Sequence, residues 1–474
     1  METKEKLFLY EETAAKIESS IKQLQLQPGD KIASVRKIST EFHVSVNTVF
    51  QAYAILEAKG IIYSKPKSGY FISMSPKSAI ISLKKNDLTL PTIVDITAMS
   101  AVMMKKAKEK EIVNFSILAP VNEHLPITKL NKYVTSSLYE ISNDNYQYHL
   151  VDGHPALIKQ LALKTFDWPN SISQDKILVT NGCMEAINLC LDAITKPGDI
   201  VAIESPTYHG ILQSLEQRGL QALEIGVNPE TGLCLDDLKE GLKKNKVAAC
   251  IFMPNCHNPV GCKMPEANKI ELVNLLGGLD IPLIEDDALG ELSFHSAVFP
   301  AKAYDKYNNV LYCSSFSKTL APGFRIGWVS GGKYHHAIEK LKYGSNMSTN
   351  SVLQAAIGKY LESGQYNKHI RKMRNALQSQ MLKYLSTISE IFPAGTKLAI
   401  PQGGLSIWIE LPPKIDAYAL QKEALNKGVG ICPGHIFSTS DFFHHYIRIN
   451  YCPLWNHKTE KAINTLAKVL QRLT

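Results

Sequence analysis

Between residues 176 and 331 seven short apolar runs, KILVT, IVAIES, ALEIGV, VAACIFMPN, IPLIEDD, VLYCSSF and IGWVSG, alternate with stretches of helical period. Apolar strands of this kind, separated by helices, form a parallel sheet covered on both faces. The spacing therefore predicts a doubly wound, mainly parallel α/β sheet. Ligands of such sheets gather beyond the C-terminal strand ends, so the polar residues at those ends carry the search for chemistry. A chain of 474 residues exceeds one core, and two or three compact units are expected.

After about Asn350 the order changes to a long helix followed by GGLSIWIELP, VGICPG and YIRINYC, the pattern of a smaller α+β lobe. The other end differs again. Tyr10, Ala14, Ile17, Ile21 and Leu24 recur at helical spacing. Ser34 and Ser45 are N-cap types for a second and a third helix, with Val49, Ala52, Tyr53 and Leu56 facing inward and Gly60 as a stop. IIYS and GYFIS, joined by KPKSG, read as a hairpin with a basic tip. Three helices and a hairpin make a winged helix-turn-helix. Between the two parts, residues 76–110 hold seven lysines (77, 84, 85, 105, 106, 108, 110) against Asp87, Asp95 and Glu109. No period persists there, and the stretch reads as a linker. The domains expected are thus 1–75, a linker 76–110, and 111–474, the last with a large lobe of about 145–345 and a small lobe of about 111–144 and 346–474.

The formal net charge of +8 permits nucleic-acid contact without demanding it. Nine cysteines are scattered with no C-x-x-C pair, which suits reduced core thiols rather than a disulfide framework or a metal site. METKEKLFLYEETAAK does not read as a signal peptide, and no apolar run approaches the roughly 20 residues of a membrane span. A cytoplasmic location without membrane contact is expected.

Five motifs stand at the strand ends. TNGCMEAINLCL turns at Gly182 and Cys183 into a helix whose first N–H groups suit a phosphate. ESPTYHG offers Tyr208, PNCHNPVG offers Asn258, and IEDD offers Asp286 and Asp287. CSSFSKTLAPGFRIGW sets Lys318 among Ser315, Ser317 and Arg325. Singly these residues read as core filler, turn residue, helix cap and solvated lysine. In this order, with S-x-S-K-x-x-x-P-G-x-R-x-G-W, residues 111–474 resemble the fold-type I aminotransferases, whose cofactor is pyridoxal 5′-phosphate.

That resemblance implies the roles. Lys318, the catalytic residue, holds the cofactor as a Schiff base. Asp286 pairs with the pyridine nitrogen, Asn258 donates to O3′, and Tyr208 stacks on the ring. Arg325, Ser315, Ser317 and the N–H groups of Gly182 and Cys183 hold the phosphate. Arg448 in YIRINYC grips a substrate α-carboxylate. One position departs: such enzymes usually carry a tyrosine three residues after the pyridine-binding acid, and this chain has Leu289. A donor to O3′ is then missing, which implies slow catalysis at most.

Residues 8–74 resemble the winged helix-turn-helix of the GntR regulators through S-x-R-x-x-S…V-S-x-N-T-V…A-Y-x-x-L-E-x-x-G. The resemblance implies DNA contacts by Arg36, Ser45, Asn47 and Thr48, and by Lys65, Lys67 and Gly69 of the wing. Val46 stands where that family often has arginine. The two halves in this order are similar to the MocR/GabR-type regulators, which implies a head-to-tail homodimer on a double-stranded DNA operator. It also implies a small amino-acid-like effector that forms an external aldimine with the cofactor. A working aminotransferase with an accessory DNA-binding domain is the alternative reading.

Overall fold

The computed structural model describes residues 9–24, 26, 30–58, 61–65, 69–72, 79–81, 90–95, 112–143, 151–294 and 298–473. The chain divides into two compact units, Met1–Ala79 with Leu382–Glu390, and Ile80–Met381 with Ile391–Thr474.

In the N-terminal unit three helices, Leu9–Gln23, Val35–Glu41 and Val46–Ala58, precede an antiparallel hairpin of Ile62–Lys65 and Gly69–Ile72. Ser34 Oγ accepts from Lys37 N–H at 3.3 Å, and Ser45 Oγ from Thr48 N–H at 3.0 Å, each taking up a donor that a helix start leaves unpaired. The first helix buries Ala14 and Ile17 but leaves Leu24 exposed beyond its end. Val49, Ala52, Tyr53 and Leu56 are fully buried. The Tyr53 hydroxyl donates to the Ala33 carbonyl, and its ring meets that of Tyr70 edge-on at 4.6 Å. The wing is braced by residues 30–32, where Ile32 N–H donates to the Tyr70 carbonyl and Ile72 N–H to that of Asp30. Gly60 and Lys67 lie outside the described residues, as does the side chain of Lys65.

The larger unit is built on a nine-stranded sheet. Its order is Thr92–Ile93, Gln221–Asn228, Ile200–Ser205, Val247–Phe252, Leu283–Asp286, Val310–Ser315, Gly327–Ser330 and Leu178–Thr180, with Gly232–Leu233 paired beside the second of these. From 221–228 across to 310–315 all neighbours are parallel, whereas Gly327–Ser330 runs antiparallel to both its neighbours. The central strands are buried along their whole length, as runs covered by helices on both faces must be. A second sheet of Cys432–Pro433, Tyr446–Asn450, Ser406–Glu410, Lys397–Leu398 and Ala79–Ile80 forms the smaller lobe.

Two boundaries differ from those read in the sequence. The stretch 76–110, read as a partly ordered linker, contributes two short strands where it is described. Ala79–Ile80 closes the small sheet, with Ile81 N–H donating to the Leu398 carbonyl, and Thr92–Ile93 forms the edge of the large one. These strands are too short for a period to register, and lysines dominate the composition around them. In the second case, the helices Ile127–Asn143 and Ser351–Glu362, assigned above to the small lobe, send Leu130, Ile357 and Tyr360 into the core beneath Trp328 of the large sheet. Helical periodicity shows that a face is apolar but not which sheet it covers.

Leu56→Ala is expected to destabilise the N-terminal unit by about 2–5 kcal/mol, the range for a buried leucine truncated in a packed core. Hydrogen exchange should show faster opening across residues 46–58, with the amides of the large sheet unchanged.

Candidate functional site

A cavity of about 200 Å³ opens at the C-terminal ends of the central strands. It is lined by Tyr208, Asn258, Asp286, Ser315, Ser317, Lys318, Arg325 and Arg448, with Cys183 and Leu289 among the remaining wall residues. Most come from strand ends or the loops that follow them. Asp286 closes Leu283–Asp286, Tyr208 and Asn258 follow Ile200–Ser205 and Val247–Phe252, and Lys318 to Arg325 lie in the loop between Val310–Ser315 and Gly327–Ser330. Arg448 reaches in from Tyr446–Asn450 of the smaller lobe.

Adjacent residues of an extended strand face opposite ways, and this separates the two acids of IEDD. Asp286 lines the cavity, its Oδ1 accepting from Ala288 N–H at 3.0 Å and from the Cys183 thiol at 3.3 Å. The oxygens of Asp287 are instead taken by Asn255 at 3.0 Å and by the Tyr312 hydroxyl at 2.7 Å. Burial raises the pKa of Asp286, as expected for a carboxylate that lacks a cation close enough to offset desolvation.

The Lys318 amine donates to the Leu118 carbonyl at 2.6 Å. Burial, then the charges of Arg448 and Arg325, bring its pKa down to about 8. Arg448 is 1% exposed. It donates through Nη1 to Asn258 Oδ1 at 3.1 Å and through Nη2 to the Ser116 carbonyl, and it lies over the Phe437 ring at 5.1 Å. Its buried Nε has no hydrogen-bond partner among the described residues. Because a guanidinium only donates, Asn258 must turn its oxygen to Arg448, which leaves the amide N–H₂ for an acceptor in the cavity. Burial raises the pKa of Tyr208.

Arg325 holds a left-handed backbone, φ 54°, a conformation that non-glycine residues adopt rarely and that persists where surroundings enforce it. It donates to Ser317 Oγ at 3.2 Å and to the Asn181 carbonyl at 3.3 Å. Gly182, φ 85°, N-caps the helix Cys183–Ile194. A Cβ on Gly182 would lie 2.5 Å from Arg325 Nη2, and one on Gly327 would lie 2.5 Å from the Gly182 carbonyl carbon. Two bare glycines therefore let the arginine and the helix start share one corner.

This donor set fits pyridoxal phosphate. Lys318 offers an amine partly neutral near pH 8, and Asp286 is a buried carboxylate in want of a cation. Arg325, Ser317 and the helix start at Gly182 make an anion corner, and Arg448 carries a buried donor with no hydrogen-bond partner among the described residues. Sequence reasoning missed the segment 114–119, whose carbonyls at Ser116 and Leu118 engage Arg448 and Lys318. Asn114 Oδ1 accepts from Ser116 N–H at 2.8 Å, and the Asn450 amide donates to Ile117 and Ala119. The local signal was the turn-forming Asn114, too common a residue to point at the cavity. His209, neutral because burial drives its pKa down to about 3, also lines the wall.

The residues assigned to DNA lie in the other unit. Arg36, Ser45 and Asn47 are exposed, Thr48 is half-buried, and Gly69 (φ 100°) opens the second wing strand. Ser45 and Thr48 also bond each other, Oγ to Oγ1 at 2.8 Å.

Residues 111–466 match the family described as Aminotransferase class I and II, and residues 9–72 match the Bacterial regulatory proteins, gntR family. The chain is 34% identical to the uncharacterized HTH-type transcriptional regulator YdcR of Escherichia coli (strain K12), over 98% of this chain and 99% of that protein. It is 30% identical to Aromatic-amino-acid aminotransferase 1 of Thermococcus litoralis, over 78% of this chain and 90% of that protein. Among solved structures it resembles the Pyrococcus horikoshii kynurenine aminotransferase, with a TM-score of 0.74 and 28% identity, covering 80% of this chain and 95% of that one.

A folded pKa of about 8 against an ordinary 10.5 means that the folded protein releases the Lys318 proton first. Stability contributed by this group therefore rises with pH from about 8 to the ordinary value. Amine-directed acylation of the cofactor-free protein between pH 8 and 9, mapped by peptide mass, should label Lys318 ahead of surface lysines. Arg448→Met removes a repelling charge and should move the onset of labelling to higher pH.

Proposed function

Because the chain belongs to the class I and II aminotransferase family and carries a gntR-family helix-turn-helix, pyridoxal 5′-phosphate is its cofactor and DNA its target, and we propose that it is a transcriptional regulator whose large unit senses an amino acid or related amine. The observation that carries this reading is the pairing, in one cavity, of a lysine with a lowered pKa and a buried arginine that no carboxylate neutralises among the described residues. When bound, pyridoxal phosphate supplies an aldehyde that condenses with primary amines and a ring that withdraws electrons from them. The protein's own groups do the rest. Lys318 serves as the amine that an effector replaces, Asp286 keeps a proton on the pyridine nitrogen, Asn258 donates to the phenolate oxygen, and Tyr208 covers the ring. Arg325, Ser315, Ser317 and the N–H groups of Gly182 and Cys183 grip phosphate, while Arg448 receives the effector's carboxylate.

Leu289 favours a sensor over a catalyst. It is 3% exposed and lies in the cavity wall, where it offers no donor to the phenolate oxygen and no group to move a proton. The aminotransferase reading keeps one support, the complete Lys318, Asp286 and Arg448 set. On the sensor reading turnover is slow at most; on the alternative the chain is a working aminotransferase with an accessory DNA-binding domain. The DNA contacts fall to Arg36, Ser45, Asn47, Thr48, Lys65, Lys67 and Gly69, with residues 1–75 as the DNA-binding domain. The active species is a cytoplasmic homodimer, paired head to tail, on a double-stranded operator of two half-sites. No described helix is long and apolar enough to cross a membrane.

Lys318→Ala should abolish the cofactor absorbance band and the response to amino acids while DNA retention on a gel is kept. Loss of DNA binding by a variant that remains folded and dimeric would sink the modular reading. Arg448→Gln should weaken the response to carboxylate-bearing amines by about 1.5–3 kcal/mol, roughly ten- to a hundredfold or more. The matching decarboxylated amines should be little affected, and a spectral titration of each pair measures the difference. Leu289→Tyr should accelerate single-turnover amino transfer; an unchanged rate would remove Leu289 from the explanation.

A further inference from the structure

The helix Val46–Ala58, VNTVFQAYAILEA, contains no arginine or lysine, and Glu57 is its one charged residue. Its buried side carries Val49, Ala52, Tyr53 and Leu56. The exposed side is made of two rows. Val46, Phe50 and Ala54, spaced four apart, form an apolar row, and Asn47 and Gln51 form an amide row beside it. Val46 is 44% exposed and Phe50 49%. Single exposed apolar residues need no explanation. An exposed valine and phenylalanine one turn apart, at the end of the helix that the gntR-type fold turns to the major groove, do call for a surface that covers them.

The groove edges supply one. A thymine presents a methyl group, which apolar side chains contact, and an adenine presents N6 and N7, which the amides of asparagine and glutamine match with paired hydrogen bonds. Guanine is most often read by arginine or lysine, and this face has neither. From Val46 to Ala54 the helix rises about 12 Å, the length of three to four base pairs at about 3.4 Å each. Cations for phosphate lie off this face: Arg36 and Lys37 are exposed on the preceding helix. Ser45 and Thr48, bonded to each other at the helix start, help fix its end. The division is one of backbone contacts outside the helix and base contacts on it.

We propose that Val46, Phe50 and Ala54 read thymine methyl groups and that Asn47 and Gln51 read adenines, so that the core of each operator half-site is a run of A·T pairs. The proposal rests on the DNA-binding reading above and adds the base composition and the residues that choose it. It also gives Val46 a role of its own, as a methyl reader where an arginine would select guanine.

The test begins with selection of a random 24-base-pair duplex pool by the full-length, cofactor-loaded protein at fixed salt. The recovered sites should share a core of three to four A·T pairs. In a recovered duplex, replacing a contacted thymine by deoxyuridine removes one methyl and should weaken binding about fourfold, the equivalent of one buried methylene at about 0.8 kcal/mol. Phe50→Ala and Val46→Ala should bind thymine and uracil duplexes with nearly equal affinity. Gln51→Ala should lose sensitivity to 7-deazaadenine, and Val46→Arg should shift selection toward guanine. A G·C core, equal affinity of the wild type for the thymine and uracil duplexes, or a methyl effect that survives Phe50→Ala and Val46→Ala would overturn the proposal while leaving DNA binding in place. A pool with no enriched sequence, and no retention that weakens with salt, would overturn the DNA-binding reading itself.

Discussion

Holding Lys318 and Arg448 beside a single carboxylate, Asp286, in a largely apolar cavity is the demand that the rest of the large unit answers. Charges removed from water are stable only when hydrogen-bonded or paired, and here there are more cations than anions. Part of the compensation comes from backbone: the carbonyls of Leu118 and Ser116 each take a donor. Part comes from Asn258 and from the face of the Phe437 ring. Ser116 and Leu118 lie in the irregular stretch after Val113–Asn114, Asn258 in the loop after Val247–Phe252, and Phe437 in the short 3-10 turn Gly434–Phe437, so the positive field is held by buried loops that the two sheets anchor. A ligand bearing phosphate and carboxylate would relieve that field, and on the reading proposed above Asp286 would meet its cationic ring.

On the reading proposed above, the same scaffold can serve an enzyme or a regulator, because the field and the proton chemistry fall to different residues. On that reading, Lys318, Asp286 and Arg448 select what enters. Whether protons then move quickly depends on donors around the phenolate oxygen, and there Leu289 contributes only shape. Binding without fast conversion is what a sensor requires, since a signal lasts only as long as its complex.

Much of this was legible in the sequence, for identifiable reasons. The seven apolar runs marked the large sheet because strands buried on both faces admit few polar residues. The helix starts at Ser34 and Ser45 were readable because a side-chain oxygen there does a job backbone atoms cannot. The choice of Asp286 over Asp287 came from resemblance, and in the structure alternate facing along one strand separates them. What escaped was whatever depends on long-range packing. The segment 114–119 meets the cavity through main-chain carbonyls, which every residue possesses. Ala79–Ile80 and Thr92–Ile93 are two-residue edge strands, too short for any period. Leu130 and Tyr360 belong to the large core for reasons that lie in the sheet they touch and not in their own helices.

The loop that carries both Lys318 and Arg325 springs from two antiparallel neighbours, with Ser315 opposite Gly327 in the register. Both its ends are thus clamped to adjacent points of the central sheet, and the turn into Arg325 is fixed by a backbone angle that few residues tolerate. The backbones from which the amine and the guanidinium extend are therefore spaced by the sheet's register. On the reading proposed above, the loop then acts as a caliper, with the amine as the jaw for a carbonyl and the guanidinium as the jaw for an anion.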